Sequence, residues 1–421
     1  MLQKVKQEII RGKTLLQFGF LSGMGQALTM LVPLIAAKFF SEELFGSYSL
    51  AKMLIFFFIT LLIAASHSPF VVFANQEKTQ TGKINKSFSV QCTFLFFSLA
   101  VFPLLCLAFS GAIKWFAAIS AVDILYIVLG YTGLSLKLFL GTLFMGLGQK
   151  TKSALVELVF GVSSVLFIIV FWMMDRINLR SVLLIYLLSA IAVIIVSIFM
   201  LDIKLLLPIQ FDRKHFLEMF HSTKWLIFGA FSVYLVNSGD NFVLRFFVPL
   251  DKIGVYNFAY QFFKGILSLV FILSNYFLPF ISENIENTEK MRAFYYKKRP
   301  KIFILVFAAI AVVFAFGPYL INRIYQNSYQ GWVAVFRILL AGSVFVLYFA
   351  LQCPILNALK KYRFISMLVI VQVIINIGLD VILVWRIGII GSAIATAFAC
   401  LCSTVIVEIY FRRNLKSKLY L

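Results

Sequence analysis

The chain has 421 residues, 62% of them hydrophobic and only 13% charged, with a mean hydropathy of +0.97. Soluble domains are about 45–50% apolar, so this composition excludes a soluble enzyme and fits a protein that crosses a membrane many times. The formal net charge of +21 sits in short clusters in alternate gaps between apolar runs. That is the positive-inside pattern, with basic residues meeting anionic lipid headgroups, and it calls for no nucleic-acid partner.

A span needs about 20 mostly apolar residues. In chain order the sequence predicts twelve, at 15–40, 44–73, 88–110, 117–146, 153–174, 181–203, 224–248, 254–282, 301–322, 333–358, 364–386 and 388–411. Lys4, Lys6, Arg11 and Lys13 precede a first run too long for a signal-peptide core and without a small-residue cleavage site, so it reads as a retained helix. With the N-terminus inside, the inner gaps collect most of the Lys and Arg, among them Lys78, Lys83, Lys86, Lys150, Lys152, Arg213, Lys214, Lys297, Lys298, Arg299, Lys360, Lys361, Arg412, Arg413, Lys416 and Lys418. The outer gaps receive only Lys114, Arg176, Arg180, Lys252, Arg323 and Arg386. Both termini are therefore expected in the cytoplasm. The longest polar gaps, near 204–223 and 283–300, fall on the inner side, and no outer gap is long enough for a domain.

The midpoint linker around Asp212 suggests an internal repeat. LIAAKFFSEELFGSYSLAK (34–52) resembles FVLRFFVPLDKIGVYNFAY (242–260), and MGLGQKTK (145–152) more weakly echoes LNALKKYR (356–363). Unless these are chance likenesses of apolar segments, the fold class is an all-α polytopic bundle of two six-helix lobes, 1–210 and 211–421.

No enzymatic constellation emerges. The five cysteines lie in apolar runs without metal-ligand spacing, and the histidines (His67, His215, His221) form no cluster. There is no GxxxxGK[ST] loop and no nucleophile elbow. No cofactor is expected. A GxxxG at Gly19 and Gly23 marks a possible close-packing face.

The chemistry instead lies in polar groups that a membrane normally excludes. In the seventh span Asn237, Asn241 and Arg245 fall at i, i+4, i+8, beside Asp240. The eighth carries Asn257, Gln261, Lys264, Ser268 and Asn275 on one face, and the eleventh has a stripe of Gln372, Asn376 and Asp380. In the first span Ser22, Gln26, Thr29 and Pro33 share a face, with Pro33 loosening the helix. The first half adds Lys38, Lys52, Asp123, Lys137 and Glu157, and the second adds Arg337. An ionisable group at bilayer depth costs about 2.5–3.5 kcal/mol or more, so it faces a bundle interior or a watery cavity, or serves as interhelical glue. Lys38 and Arg337 lie near span ends and either snorkel or join a cavity. Lys52, Lys137 and Lys264 are deeper and suit an anionic cargo such as a pyrophosphate. Asp240, Asp380, Asp123 and Glu157 are candidates for charge pairing or for carrying a proton or Na⁺.

FVLRFFVPLDKIGVYNFAYQF (242–262), its first-half echo and RIGIIGSAIAT (386–396) together resemble the Wzx-type polysaccharide flippases of the multidrug/oligosaccharidyl-lipid/polysaccharide (MOP) exporter superfamily. Asp240, Arg245 and Gly254-Val255-Tyr256 match that family's seventh-span acid, basic residue and G-x-Y turn. The resemblance implies a two-lobed, V-shaped bundle in the bacterial inner membrane. It implies movement of undecaprenyl-pyrophosphate-linked oligosaccharide, an O-antigen or capsule-type repeat unit, between leaflets by alternating access, with coupling to an ion gradient. Substrate contacts are then expected at Lys38, Lys52, Lys137, Arg245, Lys264, Arg337, Asn241 and Gln261, and polysaccharide polymerase machinery is an expected partner. Twelve rather than fourteen spans point away from the peptidoglycan-precursor flippases of the superfamily. A small-molecule exporter of the same plan, a membrane glycosyltransferase or polymerase, and a non-transporting scaffold are the alternatives.

Overall fold

The computed structural model describes the backbone of residues 2–285, 287–326, 328–359 and 361–414. Side chains are described from Gln17 to Arg413, except at positions 225, 271, 272, 275, 276, 278, 279, 282, 283, 286, 327, 360 and 362. Asn275, Lys360, the N-terminal Lys4, Lys6, Arg11 and Lys13, and the C-terminal Lys416 and Lys418 lie outside the described side chains.

Among the described residues the chain is helical throughout, without a strand. In order the helices are α1 (Leu2–Phe39), α2 (Glu42–Leu62), α3 (His67–Thr81), α4 (Asn85–Ala108), α5 (Ser110–Ala117), α6 (Ala121–Gly146), α7 (Lys150–Met173) and α8 (Leu179–Met200). They continue with α9 (Arg213–Phe247), α10 (Leu250–Asn284), α11 (Thr288–Arg292), α12 (Arg299–Tyr325), α13 (Trp332–Ala350), α14 (Cys353–Ala358), α15 (Tyr362–Ile387) and α16 (Ile389–Asn414). A π-helical turn, Ala293–Lys298, leads into α12. Among the described residues ten stretches are long and apolar enough to cross a membrane, which makes this a multi-pass membrane protein. Two 35-residue helices, α9 and α10, take the places of the seventh and eighth expected spans. At 1.5 Å per residue each is about 52 Å long, more than the hydrocarbon core requires.

Three departures from the expected spans have local causes. The second span breaks at a 3₁₀ turn, Ala64–Ser66, between α2 and α3. Pro69 in the first turn of α3 marks the restart, and the Ser66 hydroxyl holds the turn, with the Ile63 carbonyl 2.8 Å away and Gln91 Oε1 3.2 Å away. The polar gap expected at 204–223 is mostly helix, because Asp212 caps α9 by accepting from the amides of Lys214 (2.9 Å) and His215 (3.2 Å). The gap near 283–300 is likewise largely helical, with Asn287 accepting from the Lys290 amide at 3.0 Å to start α11.

The contacts divide the chain into two units, Met1–Phe40 with Ser47–Phe231 and Ser41–Gly46 with Ser232–Leu421. In the first, α1 and α7 touch backbone to backbone. A Cβ at Gly25 would lie 2.4 Å from the Glu157 carbonyl, and one at Gly161 would lie 2.4 Å from the Gly25 carbonyl. Small residues permit that approach. The close-packing glycine is thus Gly25 rather than Gly19, which has nothing within 4 Å. The linker after α8 is docked onto α4: the Ile84 amide donates to Leu205 O, Lys86 pairs with Asp212 at 2.8 Å, and Ser87 meets His215 at 2.9 Å.

In the second unit the N-terminal end of α2 packs on the start of α10 through Gly46 and Gly254. Phe45, Phe258, Tyr329, Trp332 and Phe262 form a continuous aromatic cluster beside it. At the far end of α10, Ile281, Met291, Phe294, Ile355, Leu356, Leu368, Val407 and Phe411 make a dry core. Between these two apolar ends lies the polar cluster described next.

Candidate functional site

The second unit buries a carboxylate at the meeting of four helices. Asp240, on α9, is 2% exposed. Its carboxylate accepts from Tyr256 Oη on α10, from Asn376 Nδ2 on α15 at 2.5 Å and from Thr396 Oγ1 on α16 at 2.9 Å. The next residue on α9, Asn241, accepts through Oδ1 from Asn257 Nδ2 at 2.6 Å, and about one turn earlier the Asn237 carbonyl accepts from Tyr260 Oη at 3.0 Å. The stripes on α9 and α10 therefore face each other, as their spacing of three and four requires.

A second carboxyl, Asp380, stands one helical turn beyond Asn376 on α15 and is fully buried. It lies close enough to Asp240 for the two to act on each other directly. Asp380 faces the Asp240 carboxyl and the Ser392 hydroxyl, yet among the described residues neither of its carboxyl oxygens, nor Asn376 Oδ1 or Ser392 Oγ, makes a hydrogen bond of ordinary geometry. Buried oxygens of this kind are costly unless something satisfies them. A carboxylate pair flanked by an amide carbonyl and hydroxyls offers what a proton or a hard monovalent cation takes, namely charge and oxygen ligands without thiol or imidazole. Lys264, half-buried on α10, lies with its ammonium 4.8 Å from the centre of the Tyr260 ring and within the field of Asp240.

The other expected residues are distributed as follows. In the second unit Gln261 is buried on α10, and Arg245 is partly buried in the last turn of α9. Arg337 is exposed on α13, with its guanidinium over Phe314. In the first unit Lys52 lies on α2 with its ammonium 5.9 Å from the centre of the Tyr48 ring, and the Tyr48 and Tyr186 hydroxyls share a buried hydrogen bond of 2.7 Å. Lys137 on α6 pairs with Glu157 on α7 at 2.5 Å. Asp123 pairs with Arg180 at 2.6 Å and completes a capping box with Ser120 at the start of α6. Lys38 is exposed in the last turn of α1.

Sequence reasoning missed Thr396 and Ser392, which complete the Asp240–Asp380 cluster from α16. Their signal is an i, i+4 pair of hydroxyls inside the quoted segment RIGIIGSAIAT. It also placed no weight on Tyr256 as the direct donor to Asp240.

Residues 147–334 match the model of a family described as "Polysaccharide biosynthesis protein". An uncharacterized membrane protein of Methanocaldococcus jannaschii is 23% identical over 222 residues, 51% of this chain; the match spans 44% of that relative's length. Among solved structures, the lipid II flippase MurJ in an inward closed conformation superposes with a TM-score of 0.77 at 16% identity, covering 94% of this chain and 87% of that one. An inward-facing MATE-family multidrug resistance transporter of the MOP superfamily gives 0.76 at 14% identity, covering 94% and 95%. A MOP superfamily transporter from Pyrococcus furiosus gives 0.58 at 14% identity, covering 97% of both chains. The chain has the fold of the MOP transporters, and less than half of it matches a polysaccharide-biosynthesis family model, in keeping with the resemblance drawn from its sequence.

Proposed function

We propose that the protein is a flippase that carries undecaprenyl-pyrophosphate-linked oligosaccharide, an O-antigen or capsule-type repeat unit, from the inner to the outer leaflet of a bacterial cytoplasmic membrane. The observation that carries the mechanism is the buried Asp240–Asp380 pair with its unsatisfied oxygens. Two adjacent buried carboxyl groups hold a proton or a cation between them rather than two free charges. Binding or release of that ion changes the charge at the junction of α9, α10, α15 and α16, which gives an ion gradient its grip on the helices. In each unit one deep lysine rests over a tyrosine one turn earlier on its own helix, Lys52 over Tyr48 and Lys264 over Tyr260. These lysines are the proposed anion contacts for the pyrophosphate, with Arg245, Asn241 and Gln261 as further polar groups in the second unit. Lys137, already paired with Glu157, and Asp123, paired with Arg180, serve to hold helices together.

The test is complementation of cells lacking the protein. Accumulation of lipid-linked units on the inner leaflet and loss of surface polymer are expected, restored by wild type and not by Asp240→Asn plus Asp380→Asn at matched membrane levels. Full restoration by the double variant would overturn the coupling role. Failure of the lipid-linked units to form at all would place the protein at an earlier, enzymatic step. The shared MATE fold favours one other reading, export of a small molecule; normal surface polymer in the deletion strain, with altered drug sensitivity, would select it.

A further inference from the structure

Away from the Asp240 cluster, the second unit carries a groove of about 480 Å³ between α12, α13 and α16. Its walls are Phe303, Val344, Phe345, Leu401, Val405 and Ile409. From Leu401 to Arg412 the α16 wall is about 16 Å long. Val405 and Ile409 are 46% and 47% exposed, so the groove opens on a surface that a membrane-spanning bundle turns to lipid.

Thr404 also lines the groove but turns its hydroxyl back onto the Phe345 and Cys400 carbonyls, each 2.9 Å away, and the polar lining is otherwise at the Arg412 end, at Tyr348, Glu408 and Arg412. The Glu408 carboxylate is already engaged three times, by Tyr348 Oη (3.0 Å), Gln352 Nε2 (2.7 Å) and Arg412 Nε (2.6 Å). On Tyr348 lies a second arginine, Arg299, only 6% exposed. Its guanidinium carbon is 4.3 Å from the centre of the Tyr348 ring and 4.8 Å from that of Tyr295. Its Nη2 is buried with no hydrogen-bond partner among the described residues. Arg299 stands behind Tyr348 and does not itself line the groove, but one carboxylate against two guanidinium groups leaves this end of a largely apolar groove positive, with a buried N–H donor beside it that lacks an acceptor among the described residues.

We propose that the groove holds one acyl chain of an anionic membrane phospholipid, with the headgroup phosphate at Arg412 and in the field of Arg299 behind Tyr348. Basic pockets between membrane helices bind acidic headgroups in this way. The cavity is sized for a small ligand and suits a chain and a headgroup rather than a polyprenyl chain bearing an oligosaccharide, so the occupant is a structural lipid and not the cargo. A bound phospholipid would tie α12 to α16 at the end where both carry basic residues.

The experiment is native mass spectrometry of the purified full chain, delipidated and then titrated separately with phosphatidylglycerol, phosphatidylcholine and undecaprenyl phosphate. Wild type is expected to retain one phosphatidylglycerol at least tenfold more tightly than phosphatidylcholine. Arg299→Gln plus Arg412→Gln is expected to abolish that preference. Val405→Trp, which fills the groove from an exposed position and leaves both arginines in place, is expected to weaken phosphatidylglycerol tenfold while the protein stays folded. Equal retention by wild type and both variants, no preference over phosphatidylcholine, or stronger retention of undecaprenyl phosphate would each overturn the proposal.

Discussion

Gly254 provides a sharp test of how the second unit is packed. A Cβ built on it would lie 1.8 Å from the Glu42 carbonyl oxygen and 2.7 Å from its carbon, whereas ordinary contact begins at 3.4 Å. Gly254→Ala therefore forces a displacement of about 1.6 Å between the first turns of α2 and α10. The atoms in the way are backbone, which cannot rotate aside, so the cost lies at or above the usual 1–3 kcal/mol of overpacking. The control is Gly265→Ala on the same helix, where nothing lies within 4 Å. There the change gains helix propensity, roughly 0.5–1 kcal/mol. Thermal unfolding of the two purified variants in one detergent should move the midpoint in opposite directions, with a separation equivalent to about 2–4 kcal/mol. Gly46→Ala should behave like Gly254→Ala, since its Cβ would lie 2.3 Å from the Leu250 carbonyl oxygen. Equal shifts at Gly254 and Gly265 would refute the close approach.

Thr396→Val removes one of the donors to the buried Asp240 carboxylate, and Tyr256→Phe another. Each is expected to lower stability by roughly 1.5–3 kcal/mol, and each loss should shrink when Asp240→Asn is already present, a non-additivity that a double-mutant cycle reads directly. Lys264→Arg should retain most complementation because it keeps a cation above the Tyr260 ring, whereas Lys264→Met should lose it at equal membrane abundance. Indifference to both substitutions would remove Lys264 from the substrate path. In the linker, the Lys86 ammonium and the amides of His215 and Lys214 hold the Asp212 carboxyl below its ordinary value, at about 2. Its folded-state pKa is depressed, so the docking it provides is fully present above the ordinary carboxylate range and is lost as pH falls from about 4 through about 2. Pepsin cleavage in 201–212 should rise over that window in wild type and already be high at its upper end in Asp212→Asn; a flat wild-type profile would sink the assignment.

What the sequence made legible and what it hid follow from the range of the interactions involved. Helical spacing is local, so the stripes Asn237–Asp240–Asn241 and Asn376–Asp380 could be read as faces, and both faces meet in the buried cluster. Which helices meet is a long-range property. Asp240 and Thr396 are joined across 156 positions, and nothing near Thr396 distinguishes its hydroxyl from one that bonds back to its own helix, as those of Thr29 and Ser403 do. The same limit hid the ion pairs. Arg180 reads as a loop charge and Asp123 as an intramembrane acid until folding brings α8 to the start of α6. Charge also misled where it marked surface rather than loop. The segment opening α9, RKHFLEMFHSTK, is polar enough to suggest a linker, yet it buries Met219 and Thr223 at i and i+4, the period of a helix with one dry face. Arg299 is the extreme case: it counts as a cytoplasmic loop cation by sequence, but the tyrosines on either side of its guanidinium, Tyr295 four residues before it and Tyr348 from α13, hold it inside the bundle. One neighbour was visible in the sequence and the other was not, and burial needed both.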